Sequence, residues 1–165
     1  MASIMRYDNW QNSLGTTMLT STSTGYMNEP TKPIISGQIG GARGSLTIAQ
    51  LVPFDEFWVQ RGITYNSTTR RFTVPVAGIY RITMNPFTLA GTSGTRLYIG
   101  VNTDTPGGTT HRGHCYAGDG SHQTMSLDSV VSLNANDYIV FYLAAPALYD
   151  NASDRFNQFT IEMIA

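Results

Sequence analysis

The densest group of reactive side chains is HRGHCYAGDGSH, which places His111, His114, Cys115, Asp119 and His122 within twelve residues. Imidazole and thiolate are ligands for borderline transition ions, zinc above all. A cysteine beside a histidine is also the beginning of a nucleophilic centre. The spacing completes neither chemistry. It matches no closed zinc site, and neighbours on a strand point to opposite faces, so His114 is poorly placed to serve Cys115. The surrounding glycines read as a solvated loop or a loop at a subunit contact. No metal and no cofactor is therefore expected; were an ion held within one chain or between chains, His111, His114 and His122 would be its ligands.

A second candidate is FDEFWVQ, where Asp55 and Glu56 stand between Phe54 and the pair Phe57 and Trp58. Two carboxylates beside aromatic rings suggest glycoside chemistry or sugar stacking. Glycosidase carboxylates must face each other across the scissile bond, and sequence neighbours seldom do. Core or interface aromatics are the plainer reading. Asp137, in NANDY, reads as a turn residue leading into a long strand. The chain has no G-x-S-x-G elbow, no H-E-x-x-H and no G-x-x-x-x-G-K-[ST] loop. The glycine pairs at 40–41 and 107–108 read as turns. An enzyme is not expected.

The elements that must position these residues are strands. From residue 34 onward, short runs rich in β-branched and aromatic residues alternate with turn signals, the pattern of an antiparallel sandwich or barrel. PIISGQIG, GSLTIAQLV, RRFTVPVAG, IYRITMNPF, RLYIGVN, TMSLDSVVSL, YIVFYLAA and FTIEMIA are the predicted strands. No segment holds a 3.6-residue period. In GITYNSTTRRFTVPVAGIYRIT, the NSTT turn is built from side chains that hydrogen-bond their own backbone. Phe72, Val74 and Val76 should then share one face. Pro75, lacking an amide donor, should mark an edge or bulge, and Gly78 should supply the freedom to redirect the chain.

Composition narrows the partners. The chain has 165 residues, enough for one ordinary domain, but only 13% are charged, about half the usual share. Ser, Thr, Asn and Gly must make up a neutral polar surface. With a net charge of −1 and Lys32 as its one lysine, the chain is not expected to bind nucleic acid. The single Cys115 excludes an intrachain disulfide. No signal-peptide pattern and no long apolar run is seen, so neither standard export nor membrane insertion is expected. The N-x-S/T matches at Asn66 and Asn151 read as chance.

Residues 1–33 differ from the rest: they are Ser/Thr-rich and closed by Pro30 and Pro33. They read as an extended N-terminal arm. Its apolar residues Ile4, Met5, Tyr7, Trp10, Leu14 and Met18 are a costly set to leave in water, which favours docking on a partner.

The order YNSTTRRFTVPVAGIYRITMN resembles the central signature of the C1q/TNF-like family, matching at Tyr65, Phe72, Pro75, Gly78 and Tyr80. SVVSLNANDYIVFYLAA is similar to that family's late segment, and FNQFTIEMIA to its final strand. Where the family often carries a glycine between the last aromatics, Asn157 and Gln158 stand here, a departure that touches the local turn. The resemblance covers residues 36–165. It implies an all-β jelly-roll sandwich forming a compact homotrimer, with binding surfaces on its loops. It also implies that Phe57, Trp58, Phe72, Tyr80, Tyr138, Phe141, Tyr142 and Phe159 lie in the core or the trimer interface. The FWV and FYL aromatics in particular are expected between subunits. Thr92, Arg96, Asp104 and Arg112 fall on the expected recognition loops.

MASIMRYDNWQNSLGT resembles the short leader of tailed-phage virion proteins. Together the two resemblances give the expected function: a non-enzymatic virion protein, a trimeric capsid decoration or head fibre. It would be made in the host cytoplasm without a signal peptide and carried on the particle exterior. Residues 1–33 would be the attachment arm and 34–165 the jelly roll, with the major capsid protein as partner. The alternative is a receptor-binding tail fibre or tail tip that recognises a host surface glycan or protein.

Overall fold

The computed structural model describes residues 32–40, 46, 49–89, 94–118, 122–145, 147–150 and 156–165, with the strand paths at 9–11, 17–21 and 27–28. The chain divides into two units, Met1–Lys32 and Pro33–Ala165.

In the first unit β1 (Asn9–Gln11), β2 (Thr17–Ser21) and β3 (Met27–Asn28) form a three-stranded antiparallel sheet in the order β1-β2-β3. The pairing sets Trp10 opposite Leu19 and Thr20 opposite Asn28. Runs such as TMLTS contain the β-branched residues that favour pairing.

The second unit contains β4 (Ile34–Gln38), β5 (Gln50–Leu51), β6 (Glu56–Arg61), β7 (Thr64–Asn66), β8 (Arg71–Thr73) and β9 (Gly78–Asn85). They are followed by β10 (Thr95–Val101), β11 (His111–Ala117), β12 (Leu127–Leu133), β13 (Tyr138–Ala145) and β14 (Gln158–Met163). One sheet runs β11-β10-β13-β8-β7, with β5 also pairing β13; the other runs β12-β9-β14-β4-β6. All pairings are antiparallel among the described residues, and none of those residues is helical. From β9 onward the chain changes sheet between β9 and β10, β11 and β12, β12 and β13, and β13 and β14. The predicted all-β antiparallel sandwich is therefore the observed one.

Alternation explains the core. β9 buries Tyr80, Ile82 and Met84, β10 buries Leu97 and Ile99, and β14 buries Phe159 and Ile161. Phe54 lies among Phe72, Phe141 and Phe159 at ring distances of 5.5, 5.5 and 4.3 Å, closing the space between the sheets.

The patterned stretch at 62–83 is architectural. Asn66 Oδ1 accepts from the amides of Thr68 and Thr69, each at 3.0 Å, which makes the NSTT turn. Phe72 and Val74 are buried as expected, but Val76 is 43% exposed, a correction. β8 ends at Thr73, and the bend at Pro75–Val76 breaks the alternation before it reaches Val76. Tyr80 Oη then donates to the Val76 carbonyl at 2.8 Å, pinning the bend to β9. Gly78 is required for space: a Cβ there would meet Met163 Cε at 2.6 Å and the Ala165 carbonyl at 2.7 Å.

Two strands run through segments read otherwise. β6 takes in FDEFWVQ from Glu56 onward, and β11 occupies His111–Ala117, where a loop was expected. The departure at Asn157 keeps its turn. Asn157 adopts φ = 57°, the left-handed region that asparagine tolerates. It is buried, accepts from the Phe87 amide at 2.9 Å and donates to the Tyr149 carbonyl at 2.7 Å.

Candidate functional site

The reactive group is dispersed by its own strand. On β11 Cys115 points into the core and His114 points out, so the thiol and the imidazole lie on opposite faces. Burial pushes the Cys115 thiol up to about 12, only partly offset by a backbone hydrogen bond from Leu97. A thiol so protonated is a poor nucleophile. The native protein is expected to show no reaction with a thiol reagent at pH 8 and to react fully once denatured, which absorbance during unfolding would check. His122 is held elsewhere: its Nδ1 lies 2.8 Å from the Thr88 carbonyl, and its ring stacks on Phe87 at 5.4 Å. Asp119 lies outside the described residues. His111 and His114 remain neighbours, 4.9 Å between ring centres.

The carboxylates are occupied by the fold. Asp55 Oδ1 accepts from the Gly40 amide at 2.5 Å, and Glu56 Oε2 accepts from Gln38 Nε2 at 2.6 Å, tying β6 to the end of β4. Asp137 caps its turn, accepting from the Asn134 amide and from Asn102 Nδ2, each at 2.8 Å. Asp104, expected on a recognition loop, is paired with Arg71, whose Nε donates to Oδ1 at 3.0 Å and whose guanidinium lies over the Tyr138 ring.

The hydrogen bonds from Arg71 hold the Asp104 carboxyl below its usual value. A depressed folded pKa contributes stability above the unfolded value of about 3.9, and that contribution is lost as pH falls through the folded value. Asp104→Asn should therefore be slightly less stable than the parent at neutral pH, with the gap closing under acid, as denaturant midpoints across pH would show. The effect stays small because the side chains are 36% and 41% exposed.

The aromatic set divides. Phe72, Tyr80, Phe141 and Phe159 are core within one chain. Of the FYL aromatics expected between subunits, Phe141 is instead core within the chain, packed against Phe54 and Phe159. Tyr142 and Tyr138 are half-buried, as is Phe57, which packs on the core. Trp58 is 43% exposed, its Nε1 donating to Glu56 at 3.4 Å.

The five-stranded sheet turns a second face away from the core. One row across it reads Val59, Ser36, Thr160, Thr83 and Asp128; the next reads Arg61, Ile34, Glu162, Arg81 and Val130. Ile79, beyond them, is exposed together with Val59 and Val130. Charge on this face is internally matched, since Arg81 pairs with Asp128 through Nε at 3.2 Å and Nη2 at 2.6 Å. Small hydroxyls and scattered aliphatics with few net charges suit contact with another protein surface.

The predicted loop residues fare differently. Thr92 lies outside the described residues, and Arg96 is on β10, its guanidinium 5.6 Å from the Tyr116 ring centre. Arg112 lies on β11 and borders a cleft of about 530 Å³ with Val101, Asn102, Val131, Leu133 and Asn134. The arm residues Ile4, Met5, Tyr7 and Leu14 lie outside the described residues, while Trp10 and Met18 fall on β1 and β2.

The family model for the C1q domain matches residues 41–160. Among solved structures, the globular domain of zebrafish complement 1qA protein is similar at a TM-score of 0.58 and 15% identity, covering 81% of this chain and 98% of its own. Eiger TNF from S. frugiperda is similar at a TM-score of 0.54 and 13% identity, covering 81% and 93%. No curated protein matches the sequence. At these identities the structural likeness is one of fold.

Proposed function

Because the chain belongs to the C1q domain family, we propose that it is a non-enzymatic structural protein of a tailed-bacteriophage particle. Its C1q-like domains would pack as a homotrimer, and residues 1–33 would attach the trimer to the capsid or another virion component. C1q/TNF-like domains commonly form trimers and are typically not enzymes.

The observation that carries this reading is the outward face of the five-stranded sheet, with Val59, Ile79 and Val130 exposed and Arg81 neutralised by Asp128. Covering that face removes apolar area from water without stranding a charge. Packing around a closed axis lets every copy cover it at once. Three arms on one trimer then raise the effective concentration of attachment without any new contact at each site. The sparsely charged exterior and the phage-like leader support the virion setting.

Gold-labelled antibody against residues 40–165, applied to intact particles from the source, tests this by electron microscopy. Label over heads is the expected result; particles without label would overturn the virion assignment. The receptor-binding alternative draws on the Arg112 cleft, where one guanidinium stands among the polar side chains of Asn102, Ser132, Asn134 and Asp137. Label at tail tips would favour it.

A further inference from the structure

We infer that His111 and His114 form a two-imidazole site for a borderline divalent transition ion on the outer face of the six-stranded sheet. Residues three apart on a regular strand point to opposite faces. Here the register between β10 and β11 slips: Tyr98 faces His114, Ile99 faces Gly113, and Gly100 faces His111 rather than Arg112. That bulge turns both imidazoles to the side of Tyr98, whose ring centre is 5.1 Å from His111 and 6.1 Å from His114. Bulges often re-aim side chains beside functional sites.

Spacing and an unused nitrogen carry the chemistry. Each imidazole nitrogen sits about 2.0–2.1 Å from a bound zinc, so two rings sharing one ion in tetrahedral geometry stand roughly 5 Å apart centre to centre. The observed separation is 4.9 Å, with the rings at 84°. The Nδ1 of His111 is buried without a hydrogen-bond partner, an arrangement that calls for an explanation in a folded protein.

No third His, Cys, Asp or Glu completes a cluster among the described residues. The site is therefore open, leaving coordination positions to water or to a donor group on a bound partner. Imidazole selects Cu²⁺, Ni²⁺ and Zn²⁺ over Ca²⁺ and Mg²⁺, with Cu²⁺ tightest. The pair lies on the sheet that the proposed trimer leaves outward, so this inference stands whether or not the chain assembles.

Calorimetric titration of the full chain with Cu²⁺, Ni²⁺ and Zn²⁺ tests it, alongside electron paramagnetic resonance of the Cu²⁺ form. The expected result is one ion per chain with nitrogen hyperfine coupling. Affinity should fall roughly tenfold or more in both His111→Ala and His114→Ala and hold in His122→Ala. Circular dichroism of the metal-free variants separates lost binding from lost folding. Absence of binding in the parent, or binding that survives both substitutions in folded protein, would overturn the inference.

Discussion

Phe72→Ala is expected to cost the domain about 3–5 kcal/mol, the range for removing a buried aromatic ring from a packed core. Phe72 has no exposed surface, and its ring lies 4.6 Å from Tyr65, 4.9 Å from Phe159, 5.5 Å from Phe54 and 6.0 Å from Phe141. Those residues come from both sheets, so the cavity would open at the junction of the sandwich. Domains of this size have about 5–15 kcal/mol in total, so the variant should be largely unfolded at elevated temperature. Phe72→Leu retains more of the volume and should lose less. Chemical denaturation of both variants checks this; equal midpoints for Phe72→Ala and the parent would contradict the role given to the ring.

The second large effect concerns assembly. Val130 is 58% exposed and lies opposite Arg81 on β9. Val130→Arg therefore leaves the isolated domain nearly undisturbed, since an exposed strand position accepts a long cation. In the trimer the new guanidinium would be buried beside Arg81 without a carboxylate of its own. Stranding a charge in this way costs about 3–5 kcal/mol. That weakens each subunit contact by roughly 100-fold or more. The variant should run as a folded monomer with the parent's circular dichroism. A trimer of unchanged affinity would remove this face from the interface.

How far the sequence discloses these features depends on how each strand is built. β9 and β14 are legible because fully buried side chains alternate with more accessible ones and the buried ones are large. β11 is not, because Gly113, Cys115 and Ala117 present a nearly featureless inward side to a search for apolar periodicity. Small residues are needed there, for a Cβ on Gly113 would stand 3.2 Å from both Ile99 Cδ1 and Ser129 Cβ. β6 is an edge strand with four exposed residues in succession, so its aromatics and carboxylates look like a motif rather than a strand. The pairing of His111 with His114 depends on a register slip, which exists only once β10 and β11 are aligned. The αL turn at Asn157 is hidden for a related reason: the fold needs the conformation, and asparagine meets the need that glycine more often fills.

The sandwich also explains why the best-patterned stretch carries no chemistry. Its turn, its bend at Pro75 and the Tyr80 hydrogen bond fix the start of β9. β9 in turn contributes Ile79 and Arg81 to the face on which assembly is proposed. Architecture there is a prerequisite for multivalency.

The most direct measurement is the mass of the intact chain in solution, by native mass spectrometry with light scattering at micromolar concentration. The account predicts three chains of 18.1 kDa, about 54 kDa, collapsing to one chain in Val130→Arg. A folded parent protein at 18.1 kDa under the same conditions would contradict it.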